Sequence, residues 1–165
     1  MKQSIERIWF SDGNICILTS ENEQRSLPLE VFPALFYATE EERQDYYLWD
    51  DNRSIRWEKI DEDIHISNFY DEETVDYDNE VNHLLSKFPY LDCRAFAERI
   101  GMHWTLLERL RFGVVKASAS TVQRIREGIR AIGKEMSAAV KKKKKLGVDS
   151  CPWGWEKWGE EGVWG

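Results

Sequence analysis

Apolar and polar positions along the chain change period near residue 80. Before it the apolar runs are short and broken by turn residues. Ile5 to Phe10 alternates loosely, Ser11-Asp12-Gly13-Asn14 signals a turn, and Ile15 to Thr19 is a second apolar run, so the three together predict a β-hairpin. A polar turn, Glu21 to Gln24, follows. Leu27-Pro28-Leu29 then leads into a short helical stretch with Val31, Phe32, Leu35 and Phe36 as its stripe, interrupted by Pro33. Thr39 before Glu40, Glu41 and Glu42 is an N-cap with acids in the first turn, and that helix should run to about Asp45. Tyr46 to Trp49 and Ile55 to Trp57 are strand candidates around the turn Asp50-Asp51-Asn52-Arg53. Ile60 to Ile64 closes the unit and leads into His65 to Phe69.

Residues 71–79, DEETVDYDN, are acidic and read as a linker that becomes the cap of the next helix. From there the period is helical. Val81, Leu84, Leu85 and Phe88 fall on one face, and Pro89 ends the run. Cys93 to Gly113 reads as a helix capped by Asp92, a turn at Gly101, and a second helix that stops at Gly113. Phe96, Ala97 and Ile100 form one apolar side of the first helix. In the second, Leu106, Leu107 and Leu110 share a face, and Trp104, Thr105, Glu108 and Arg109 share the opposite one. Val122, Ile125, Ile129 and Ile132 repeat at helical spacing after a cap at Ser118 or Ser120. That helix should cover the pair and continue toward Val140, because two short helices cannot bury their own apolar faces.

Two resemblances follow from these residues. Ala97, Gly101, Met102, Leu107, Leu110 and Gly113 resemble the pattern of lambda-repressor-like helix-turn-helix domains, in which the second helix lies in the major groove of DNA. Here that helix opens on His103 and Trp104 where the family usually has small polar residues. The earlier order resembles the bacterial domain-of-unknown-function 2442 family over roughly residues 3–70: hairpin, Leu-Pro-Leu entry, acidic helix ending in Arg43, aromatic strand, then Trp57 to Ile64. That resemblance implies a small α+β domain, in some members joined to a lambda-repressor-like domain, and a link to toxin–antitoxin gene pairs, and it brings no catalytic activity with it. The expected fold is therefore an α+β N-terminal domain, a small mixed or antiparallel sheet with short helices, over residues 1–74. An all-α helix-turn-helix domain follows over 79–140, and a Lys-rich then Trp/Gly-rich flexible tail over 141–165.

Charge sharpens the functional reading. Residues 1–79 hold 20 acidic and 7 basic side chains, net −13, and residues 80–145 hold 6 and 15, net +9. Without the lysines 141–145 the second segment is still +4, so the helical segment is the basic one, as phosphate binding requires. Cys16, Cys93 and Cys151 are far apart and odd in number, which fits ordinary thiols in a reducing cytoplasm. No apolar run is long enough to span a bilayer, and the N-terminus lacks a signal-peptide layout.

The candidate site is the outer face of the second helix. Thr105 and Arg109 can reach base edges, Arg109 preferring guanine; Trp104 can pack on a sugar or thymine methyl, and His103 can bond a phosphate. Arg94, Lys116, Arg124 and Arg126 are phosphate candidates. The bland alternative buries Trp104 against the neighbouring domain and pairs Arg109 with Glu108 or leaves it in solvent. Asp61, Glu62, Asp63 and His65 are poor metal ligands, since consecutive side chains diverge. No nucleophile–base pair, phosphate loop or dinucleotide fingerprint is present, so neither an enzyme nor a cofactor is expected. The expected function is a cytoplasmic regulator binding double-stranded DNA as a homodimer, its acidic N-terminal domain dimerising or receiving a partner. The alternative is an antitoxin facing a cognate toxin, or an interaction module that keeps the helical scaffold without reading DNA.

Overall fold

The computed structural model describes residues 2–141. Lys142 to Lys145, the Trp/Gly-rich stretch and Cys151 lie outside the described residues. The fold is mixed α+β, with two three-stranded antiparallel sheets followed by helices. Two compact units are present, the first Met1–Arg126 and the second beginning at Glu127.

The first sheet has the order β1 (Ile5–Ser11), β2 (Asn14–Thr19), β3 (Gln24–Pro28). Asp12 and Gly13 both take positive φ, 51° and 75°, so the expected hairpin turns through two left-handed residues. The third strand, β3, is absent from the sequence reading. Its Gln24, Arg25 and Ser26 are exposed and polar, and only Leu27 carries an inward signal. The stripe around Pro33 resolves into a 3-10 turn, Leu29–Val31, and a short helix α1 (Pro33–Phe36). Proline stands at the first helical position, where it starts the helix and does not break it.

Helix α2 (Glu40–Gln44) is closed by a capping box between Thr39 and Glu42. The second sheet has the order β4 (Tyr47–Trp49), β5 (Ser54–Trp57), β6 (Glu62–His65), followed by a 3-10 turn at Ile66–Tyr70. Two backbone hydrogen bonds, Ile5 N to Asn52 O and Ile66 N to Arg53 O, both 2.7 Å, tie β1 and the turn after β6 to the β4–β5 turn. Ile15, Ile17, Leu35, Ile55, Trp57 and Ile64 are fully buried between these elements. The indole N–H of Trp57 donates to the Arg43 carbonyl at 2.9 Å, while Arg43 donates to the Leu35 and Phe36 carbonyls. One buried tryptophan thus fixes α2, and through Arg43 the C-terminal end of α1.

Helix α3 (Glu80–Leu85) is capped by Asn79, α4 (Cys93–Arg99) by Asp92, and α5 (Trp104–Arg111) by His103. Gly101, at φ +69°, makes the turn between α4 and α5. The long helix α6 (Ala119–Lys141) starts after Ser118, whose hydroxyl accepts from Thr121 N. Val81, Leu85, Phe96, Ala97, Leu107, Leu110, Phe112, Val122 and Ile125 are buried and come from α3 to α6.

The acidic stretch 71–79 is a strap against α5, not a free linker. Asp76 N donates to the Phe112 carbonyl at 2.9 Å, and the Asn79 side chain donates to Arg111 O at 2.9 Å. Gly113, at φ +73°, faces the Asp76 carbonyl so closely that any Cβ there would overlap it. Gly113→Ala should therefore cost about 2–3 kcal/mol from strain and displacement of the strap, read as a lower urea midpoint. Gly13→Ala, in open space and also at positive φ, should cost only the smaller backbone part.

Candidate functional site at the outer face of α5

Helix α5 buries Leu107 and Leu110 on the side that meets α3 and α4. Its other side, expected to meet a groove, lies against α1 and the 3-10 turn Leu29–Val31. Glu108 is only 3% exposed, and its carboxylate accepts from the Tyr37 hydroxyl at 3.0 Å. Phe112, one turn on, packs against Phe36 at 4.9 Å and Tyr77 at 5.8 Å between ring centroids. Trp104, one turn back, faces Tyr37 at 6.3 Å. Trp104, Glu108 and Phe112 recur every four residues, so one stripe of the helix makes the whole contact.

Arg109 sits at the edge of that stripe. Its guanidinium donates to Glu73 at 2.6 Å, and its Nε is buried without a partner. The nearby Glu62 is held above the usual carboxylate range by burial, against the opposing pull of Arg109. One carboxylate from the N-terminal part, Glu73, therefore holds this arginine. Thr105, half-buried, bonds the His103 ring at 2.6 Å, and His103 Nδ1 accepts from Thr105 N. The pair closes the start of α5.

The remaining sequence candidates divide three ways. Arg94 lies over the Trp104 ring at 4.1 Å. Arg124 donates to the Ile100 and Gly101 carbonyls and so caps α4, and Arg126 pairs with Glu80. Lys116 is exposed. The structure thus brings Arg94, Trp104, Glu108 and Arg109 together along one seam and leaves Lys116 apart. Asp61, Glu62, Asp63 and His65 diverge: Asp61 binds Arg56 at 2.7 Å, Glu62 lies near Arg109, and His65 caps the following turn. Among the described residues no three His, Cys, Asp or Glu side chains converge as a metal site. No described helix is long and apolar enough to cross a membrane.

The sequence reading missed Tyr37, Glu73 and Phe112. Tyr37 lies 71 positions from Glu108 and Glu73 lies 36 from Arg109. No local period relates such pairs, and only the acidic count of the strap was visible.

Residues 5–75 match the family described as protein of unknown function, DUF2442. The match covers both sheets and ends two residues past Glu73, so the DUF2442 segment supplies Tyr37 and Glu73, and the helices beyond it supply Trp104, Glu108 and Arg109. No curated protein and no solved structure matches the chain.

The seam also contains the most displaced ionisable groups. Burial, and then the Glu108 carboxylate, push the Tyr37 phenol well above its ordinary range. Burial and the hydrogen bond to Glu30 push Tyr77 up to about 12, and burial pushes the Cys93 thiol up to about 11. A phenol whose pKa is raised in the folded state stabilises that state below its unfolded pKa of about 10, and loses the effect as pH rises through the folded value. Stability should therefore fall from about pH 10 upward, and ultraviolet titration should show phenolate signals delayed to about pH 12 that return to normal in urea.

Tyr37→Phe keeps the ring contacts but leaves a buried carboxylate short of one donor, and should cost about 1–3 kcal/mol. Glu108→Gln removes the buried charge and keeps an acceptor, so it should cost less. A double-mutant cycle on the two should return a coupling of about 0.5–3 kcal/mol by chemical denaturation.

Proposed function

We propose that the chain is a protein-interaction module in which the C-terminal helices serve as a scaffold that does not read DNA. The lambda-repressor-like plan of α4, the Gly101 turn and α5 is retained in this reading. The observation that carries it is the burial of Glu108 under Tyr37, on the stripe that a groove would have to meet. A helix face that holds a neighbouring domain through Trp104, Glu108 and Phe112 cannot enter a major groove at the same time. The partner would meet the acidic N-terminal part, whose exposed Glu21, Glu40, Asp50, Asp51 and Glu58 face solvent and suit a basic surface. In the antitoxin form of this proposal that partner is a cognate toxin.

The regulator reading has its own support in the basic total of residues 80–145 and in exposed Arg94 and Lys116. It requires the N-terminal part to leave α5, with loss of the Tyr37–Glu108 and Glu73–Arg109 contacts.

One experiment separates the two. The full chain is passed over immobilised double-stranded DNA at several salt concentrations, beside the variant Arg94→Ala/Arg109→Ala, and the same material is offered to the product of the adjacent gene. The module reading expects weak retention that the double substitution does not change, with the protein partner captured by both forms. Retention that falls steeply with salt and drops tenfold or so in the variant would instead establish DNA binding and overturn it.

A further inference from the structure

Beside the Tyr37–Glu108 contact the surface folds into an open cleft of about 400 Å3. Its walls come from two sides: Tyr37, Lys59 and Ile60 on one, Arg94 and Trp104 on the other. That volume falls in the range of roughly 300–1,000 Å3 usual for small-molecule sites, which favour domain seams.

The charges around the cleft are unequally matched. Glu42 accepts from Thr39 N within its capping box, at 2.8 Å. Asp61 accepts from Arg56 at 2.7 Å, and Lys59 is paired with Asp45 at 2.8 Å. Arg94 makes no ion pair or hydrogen bond with any described residue, and its guanidinium carbon lies over Trp104 at 4.1 Å from the ring centroid. Stacking on an indole fixes the plane of a guanidinium and leaves its N–H edge open. That edge accepts a planar carboxylate or a phosphate through two parallel hydrogen bonds. Arg94 and Glu42 are thus the charges at this cleft without an ion pair among the described residues, and Arg94 is the cation, with the Trp104 ring on one side and Tyr37 and Ile60 beside it.

We propose that the cleft binds a small organic anion, its carboxylate or phosphate on Arg94 and its apolar part along the Tyr37–Ile60 wall. Because Lys59 and Arg94 stand on opposite walls, such a ligand bridges the N-terminal part and the helices. It therefore favours the docked arrangement by its binding free energy. The proposal stands apart from the choice of partner above, since the Tyr37–Glu108 contact exists without any ligand.

Phenyl phosphate, benzoate and inorganic phosphate are each titrated into the full chain, and the amide signals of Lys59 to Asp61 and the Trp104 indole signal are followed by NMR. Saturable shifts at these positions with phenyl phosphate or benzoate are expected, and which of the two binds more tightly identifies the head group. Arg94→Gln should weaken that binding about tenfold or more, equivalent to about 1.4 kcal/mol, while the ligand-free spectrum changes only around Trp104, on which Arg94 rests. Lys59→Gln should weaken it less. The proposal fails if neither organic anion shifts these signals, if Arg94→Gln binds as tightly as the wild type, or if inorganic phosphate binds as well as phenyl phosphate.

Discussion

Glu108 is a carboxylate withdrawn from water, and the arrangement of the first compact unit follows from what that costs. An ionised group in a low-dielectric site is tolerated only with donors in place. The donors here are the Tyr37 hydroxyl at 3.0 Å and the Cys93 thiol, with the Arg111 guanidinium as a looser ion pair at 3.9 Å. Tyr37 ends α1, and α1 is held by Arg43 and, behind it, by the buried Trp57. The position of the carboxylate on α5 is thereby linked to the core of the sheets through a short chain of hydrogen bonds. Moving α5 outward would either strand Glu108 or draw the end of α1 with it.

The strap makes the same seam from a second direction. Asp76 is bonded to the Phe112 backbone, Glu73 to Arg109, and Asn79 to both Asp76 O and Arg111 O while capping α3. A strap fixed at three points has little slack, so its residues do not behave as the linker their polarity suggests. The requirement for glycine at Gly113 is a consequence. The end of α5 and the strap approach so closely that no side chain fits between them.

How much of this is legible in the sequence depends on the range of the interaction. Capping boxes, the Asp12-Gly13 turn, the Asp92 and Asn79 caps and the Gly101 turn are local, and each reads directly from residue type and spacing. The strand β3 does not, because an edge strand with three exposed polar residues offers no alternation to detect. The outer face of α5 is harder still. Trp104, Thr105, Glu108 and Arg109 have the polar character of a solvated or nucleic-acid-facing stripe. What decides their environment is Tyr37 and Glu73, far away in the chain. Polarity marks a face that needs partners, and does not say whether those partners are phosphates or carboxylates.

The charge division along the chain takes on another meaning once those partners are known. Net charge counts groups, not their neighbours. Arg109 answers Glu73, Arg126 answers Glu80, and Arg124 answers backbone carbonyls. An acidic N-terminal part and basic helices attract each other within one molecule, and each pair formed in this way removes a cation from the set available to an external polyanion. By that reasoning the cations worth following are the ones the fold leaves uncompensated. Arg94 rests over Trp104 at a cleft, with no described side chain hydrogen-bonded to its guanidinium. A charge kept oriented but unmatched, in a chain that matches so many others internally, points to an anion supplied from outside.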